Sequence, residues 1–184
     1  LALGLPPGLG SYVHWDKRLD ARITYAVMGI QAIKGVEIGP AFANSRQPGT
    51  KVHDAIHLKD NLITRASHRS GGIEGGMSTG QPILVRAAMK PIATTIKPQK
   101  TVNLAEGKEM PTQYERSDYC PVPRAVPVIE AMVAYTLADA LLEKLGGDSM
   151  EEIQNRFNKL PAARLDDLHI DGNPKVFWPA PESE

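Results

Sequence analysis

The sequence predicts an α+β fold in which antiparallel or mixed strands are covered by two long helices, and three observations carry that prediction. Apolar residues recur at helical spacing in two windows, one from Leu19 to Ile33 and one from Ile129 to Leu145. Short β-branched runs punctuated by glycine and proline fill the space between them. No segment repeats with a period of about 20–50 residues, which disfavours solenoids and propellers. Helices with one apolar face must bury it on another element, so a layered arrangement follows.

The first helix is predicted to start at Asp16 as N-cap, to present Leu19, Ile23, Ala26, Val27, Ile30 and Ile33 inward, and to stop at Gly35. Val36, Ile38 and Phe42 then alternate as a strand, and the polar stretch from Asn44 to Thr50 reads as a connection. A second strand is expected within Val52 to Ile63 and a third within Pro82 to Met89, with a dense glycine run joining them. Thr101 to Leu104 and Met110 to Tyr114 flank Ala105-Glu106-Gly107-Lys108-Glu109, which suits a hairpin. Ile129, Met132, Val133, Leu137, Leu141 and Leu145 mark the second long helix, closed by Gly146-Gly147. Ser149 and Glu152 have the spacing of a capping box for a short helix ending near Asn158, and residues 159–184 form a polar, Pro-containing tail.

A chain of 184 residues, 42% hydrophobic, is long enough to bury one core. Its formal net charge of zero leaves no global field to attract nucleic acid or an acidic membrane, so any anion has to be held by local groups. The single cysteine, Cys120, precludes an internal disulfide, which fits a reducing, cytoplasmic setting. The opening Leu-Ala-Leu-Gly-Leu-Pro-Pro-Gly does not read as a signal peptide, and no window approaches about 18 consecutive apolar residues.

Three segments favour anions and occur in order. In Gly71-Gly72-Ile73-Glu74-Gly75-Gly76-Met77-Ser78-Thr79-Gly80, residues without side chains let backbone N–H groups approach an anion or a flat ring, although the same run also serves as a plain turn. Strand alternation puts Arg86, Ala88 and Lys90 on one face, and Pro91 then fixes the chain so that Lys90 and Thr94 can meet a phosphate; the bland alternative is a solvated strand end. Arg116 is a planar cation suited to phosphate or carboxylate, and Asp118, two residues on, is a proton acceptor; as an isolated pair they would be an ordinary surface ion pair. A P-loop is disfavoured because Lys90 does not follow the glycines at the required spacing. His53 and His57 are four apart in an extended segment, about 13 Å, so no metal site is expected.

Taken together these segments resemble the chorismate synthase family, from about Gly8 to about Phe157. The resemblance implies a β–α–β sandwich built of two related halves, with residues 1–158 as the C-terminal half, because a Gly-Glu-Ser-His-Gly block and a Ser-Ala-Arg block expected near a family N-terminus do not occur here. It implies reduced FMN as cofactor, with NADP associated, and a 1,4-elimination of phosphate from 5-enolpyruvylshikimate 3-phosphate that gives chorismate. By residue match, Gln31, Ala32, Gly75, Lys90, Pro91, Ile92, Ala93, Thr94 and Arg116 are implied to contact flavin, and Arg116 and Asp118 to be catalytic, the Asp beside flavin N5.

Gln31 replaces a more usual Asn, His68 stands where Asn is common, and Tyr119 is an unusual neighbour, whereas Cys120 and Glu130 fit. The family's two working histidines belong to the blocks not found here, so none of the five histidines inherits those roles, and the chain alone is expected not to turn over substrate. A cytoplasmic homotetramer is implied for the whole protein, with no nucleic-acid or membrane partner. The alternative is a non-catalytic anion-binding or oligomerisation module.

Overall fold

The computed structural model describes residues 1–93, 95–115, 120–162, 164–168 and 172. In chain order the elements are β1 (Pro7–Gly10), α1 (Leu19–Met28), β2 (Ile33–Ile38), α2 (Ala41–Asn44), β3 (Ile56–Lys59), β4 (Leu62–Arg65), β5 (Ile73–Glu74), β6 (Met77–Thr79), β7 (Val85–Met89), β8 (Lys100–Asn103), β9 (Lys108–Pro111), α3 (Val122–Leu145) and α4 (Met150–Phe157). The strands form a three-stranded sheet in the order β1-β6-β5 and three pairs, β2-β7, β3-β4 and β8-β9. Every one of these pairings is antiparallel.

Helix α1 is shorter than its apolar stripe. Asp16 lies in a 3₁₀ turn, Trp15–Lys17, and is not the cap; the N-cap residue is Arg18, whose side chain makes no cap bond. The orphan amide of Leu19 is satisfied from elsewhere, donating to Gly76 O at 2.8 Å. The helix stops at Gly29, whose amide bonds Tyr25 O. Ala32 then takes a left-handed φ of 67°, and Ile33 begins β2. Ile33 is buried in either reading, so apolar spacing alone could not show where helix gave way to strand. Phe42, expected in that strand, instead belongs to α2, with its amide bonded to Glu37 Oε1 at 2.8 Å.

The strand expected within Val52 to Ile63 is two strands. Asp60 and Asn61 both take positive φ, 49° and 64°, the pattern of a two-residue hairpin turn, and β3 folds back on β4 there. The β8–β9 hairpin closes earlier than predicted because Asn103 Oδ1 accepts from the amides of Ala105 and Glu106. Helix α3 begins at Val122, before the predicted stripe, with Pro123 in its first turn where a missing N–H costs nothing.

The core is a single cluster in which Leu9, Leu19, Ile23, Val27, Ile83 and Leu137 are central. It lies where α1 and α3 meet β1, β2 and β7. A register break in β1 leaves the Leu9 amide without a ladder partner, and buried Ser78 supplies one, accepting from Leu9 N at 2.9 Å while donating to Pro6 O at 2.6 Å. Between the helices, Arg22 reaches both Asp139 and Glu143, and Lys17 also pairs with Glu143 at 3.1 Å.

The opposite side of the two helices is uncovered. Tyr25 is 85% exposed, and Val128, Tyr135 and Leu142, spaced seven residues apart on α3, are 47%, 73% and 50% exposed. By length and composition α3 is the one helix among the described residues long and apolar enough to cross a membrane, although Glu130 and Asp139 interrupt it so that no 18 consecutive apolar residues occur; only 22% of its most apolar stretch is buried. Its ion pairs to α1 and its packing on β1 mark it as a core helix with one free face.

Beyond α3 the chain is tied down locally. Ser149 Oγ accepts from Glu152 N at 3.2 Å and starts α4 as predicted, and Arg156 donates to Leu145 O at 2.7 Å, covering a carbonyl at the end of α3. Ser149→Ala is expected to lower the stability of this end by about 1 kcal/mol, read as faster amide exchange in 150–157. Residues of the tail return to the β3–β4 turn: Leu165 N bonds Asn61 O at 2.9 Å, Asp166 accepts from Asn61, and Arg164 forms a bridge with Leu62.

Candidate functional site

Two of the predicted contact segments converge through the backbone. Lys90, just past the end of β7, donates its amide to Ala32 O at 2.7 Å, so Gln31-Ala32 and Lys90-Pro91 meet at one corner although nearly sixty residues separate them. The β2–β7 ladder forces this, since Ile33 pairs with Met89 at its end. Gln31, Lys90, Pro91 and Ala93 are exposed there, and Ile92 is half-buried. The alternation predicted for the strand holds, with Arg86 and Ala88 outward and Val85, Ala87 and Met89 toward the core.

Gly75 lies at the other end of α1. It occupies the β5–β6 turn with φ of 58°, exposed, with nothing within 4 Å of where a Cβ would stand. Its neighbour Gly76 is packed tightly, since a Cβ there would sit 2.6 Å from Arg18 Cγ and 2.7 Å from Ser11 O. Ten residues of helix, about 15 Å, therefore separate the Gly75 turn from the Ala32–Lys90 corner. Thr94, Arg116 and Asp118 lie outside the described residues.

An open groove of about 1420 Å³ runs along α1 between these two places. Arg18 and Asp20 line one end and Gln31 the other, with Phe42 on one wall and Val128 and Met132 of α3 on the opposite one. Neither Lys90 nor Gly75 lines it. Small-molecule sites are usually roughly 300–1,000 Å³ and enclosed. A wider trough walled by exposed apolar side chains is a surface that more protein can cover.

Polar groups outside the predicted motifs line the groove or brace the elements beside it. Arg18 grips Asp20 through two bonds, Nε at 3.1 Å and an Nη at 2.6 Å, and the hydrogen bond followed by the charge of Asp20 raises the guanidinium above its ordinary pKa. Glu37 joins β2 to its neighbours, accepting from Phe42 N and, at 3.2 Å, from Arg86. Glu143 sits below the usual carboxylate range, chiefly through the hydrogen bond from Lys17.

Asp54, at the base of the β3–β4 hairpin, gathers its hydrogen bonds from farther along the chain than Asp20 does. It accepts from Ser67 Oγ, from Arg69 N at 2.7 Å and from Ser70 N at 2.8 Å. Burial pushes its pKa up, but those hydrogen bonds outweigh it and hold the carboxyl at about 2. Because the folded value lies below the unfolded one, this stabilisation is whole above about pH 4 and lost as pH falls through about 2. Asp54→Asn should therefore cost about 1–2 kcal/mol at pH 6 and almost nothing at pH 2, measured by denaturant unfolding; a gap that does not narrow on acidification would contradict this. The signal was present as an Asp facing a Ser-His-Arg-Ser run across a hairpin, and recognising it requires knowing that the hairpin exists.

Among the described residues, no group of three or more His, Cys, Asp or Glu side chains is placed to hold a metal ion. His57 lies in β3, exposed. His68 Nε2 and Asn44 Oδ1 are buried with no partner among the described residues.

Fold and site together define an α+β protein in which small antiparallel sheets pack against α1 and α3, with a trough along the free helical face. The chorismate synthase family model matches residues 1–142. Chorismate synthase of Kocuria rhizophila is 51% identical over 99% of this chain and 42% of its own length, and that of Chlorobium phaeovibrioides is 56% identical over 84% and 39%. A chorismate synthase crystal structure superposes with a TM-score of 0.70 at 48% identity, over 85% of this chain and 40% of the other. The chain belongs to the chorismate synthase family. It spans about two fifths of the length of the curated relatives it matches.

Proposed function

We propose that this chain forms the C-terminal half of a chorismate synthase, the lyase that eliminates phosphate from 5-enolpyruvylshikimate 3-phosphate to give chorismate in the shikimate pathway. The observation that carries the reading is the Lys90–Ala32 backbone bond beside Gln31. It brings two segments matched to the family's flavin contacts to one corner, where Gln31 lines the groove, and the glycine turn lies at the start of α1, bonded to Leu19. The groups there fit a flavin phosphate and ring: an exposed ammonium on Lys90, an amide on Gln31, and at Gly75 a backbone with no side chain in front of it.

In this reading Gln31, Ala32, Gly75 and Lys90 through Thr94 hold FMN, which when bound and reduced supplies electron density to the developing allylic cation. Arg116 orients anionic groups through its planar fork, and Asp118 takes the ring proton onto its carboxylate. Lys90 offers a point charge to phosphate. The uncovered face of α1 and α3 is where the remaining length of such a protein packs to complete a β–α–β sandwich, and the whole protein works as a cytoplasmic homotetramer.

The test joins this chain to the part of the Kocuria rhizophila relative that it does not match. Saturable binding of FMN with 5-enolpyruvylshikimate 3-phosphate, and chorismate formation by the joined protein but not by the 184-residue chain alone, are expected. Chorismate produced by the chain alone would overturn the half-protein reading. The exposed stripe Val128, Tyr135 and Leu142 favours one second reading, an oligomerisation module; assembly indifferent to both ligands would support that instead.

A further inference from the structure

The two candidate contact regions at opposite ends of α1 are joined through one backbone node. Gly71 packs directly on Gly39, Leu84 donates to Gly71 O at 3.0 Å, and Gly39 donates to Leu84 O at 2.8 Å. From this node β7 leads to Lys90, and the β5–β6 hairpin, tied back by Thr79 N to Gly72 O at 3.0 Å, leads to Gly75. The distance between Lys90 and Gly75 therefore depends on how rigidly the node is held.

The node is held from outside by a corner, residues 67–70, which precedes Gly71 directly. Three donors of that corner converge on Asp54, and Asn44 adds a fourth tie by donating to Arg69 O at 2.8 Å. We propose that Asp54 is a positioning residue for the lyase reaction: by fixing the corner it sets the Gly71–Gly39 contact, and through it the relative placement of the Lys90 and Gly75 segments. Asp54 touches neither segment and acts only through the node. The inference rests on the flavin-holding role proposed above for those segments.

Two measurements test it. Amide exchange of the 184-residue chain, without ligand, is expected to speed up about tenfold in Asp54→Asn at Arg69 and Ser70 and also, beyond the corner, at Leu84 and Gly39. Acceleration confined to Arg69 and Ser70 would overturn the proposal. In the joined protein, with FMN and 5-enolpyruvylshikimate 3-phosphate, the FMN dissociation constant should rise about tenfold for Asp54→Asn and about threefold for Ser67→Ala, which removes one bond and keeps the fold. Asp166→Ala, which cuts the brace at the far tip of the same hairpin, should leave it unchanged. Equal weakening by Asp166→Ala, or wild-type affinity in both corner variants, would show that Asp54 only stabilises the hairpin. Failure of the underlying reading is separately visible, since it is the wild-type joined protein that would then bind no FMN.

Discussion

Gly71→Ala is expected to cost about 3–5 kcal/mol, a large share of the roughly 5–15 kcal/mol that holds a domain of this kind together. The added Cβ would stand 2.3 Å from Gly39 N and 2.4 Å from Gly39 Cα, both backbone atoms, at a φ of 66° that L residues rarely adopt. Gly39 has a φ of 62° and is itself locked, since a Cβ there would meet Gly71 at 2.8 Å. Neither chain can retreat without breaking the Leu84 hydrogen bonds that flank the contact. Gly75→Ala is the matched comparison, because it has similar positive φ and open space around it, and it should cost only about 1 kcal/mol. Denaturant unfolding of the two variants side by side checks this; comparable losses would mean the Gly71–Gly39 contact is not close packed. Gly75→Ala also separates stability from function, since under the proposed role it weakens FMN binding in the joined protein while the fold persists.

Asp118→Asn carries the largest expected effect on activity. If the carboxylate takes the ring proton, its amide replacement removes the acceptor and keeps the shape, and elimination by the joined protein should fall about 10²–10⁴-fold with FMN binding close to wild type. Arg116→Ala should show the opposite balance, with weakened ligand binding from loss of the bidentate cation. Single-turnover chorismate formation beside an FMN titration distinguishes the two. Near-native elimination by Asp118→Asn would remove it from the mechanism and leave Arg116 with a binding role alone.

Much of the fold was legible in the residues for reasons that act over short distances. The α3 stripe from Ile129 to Leu145, the Ser149 cap and the out–in alternation around Arg86 are set by neighbours within a few positions, and all three stand in the structure. The misreadings share a cause. Ile30 and Ile33 continued the α1 stripe in sequence, but the backbone turns left-handed at Ala32 because β2 has to pair with β7, a strand about fifty residues away. Asp16 looked like the cap, yet Gly76 O satisfies Leu19 from the far side of the chain. Of the candidate site, motif order nominated Gln31, Ala32, Gly75 and Lys90, whereas the Lys90–Ala32 meeting and the separation of Gly75 along α1 were not legible.

The sequence by itself determined where the helices at Leu19, Ile129 and Ser149 lie and which family the motifs resemble, because periodicity, capping and motif order are written in adjacent residues. Only the tertiary structure decided that Lys90 meets Ala32, that Gly71 is wedged on Gly39, that Asp54 gathers a corner up to sixteen residues away, and that one face of α1 and α3 stays bare. These are close approaches between stretches distant along the chain. Chain folding sets them through strand pairing and core burial, and no local pattern encodes them.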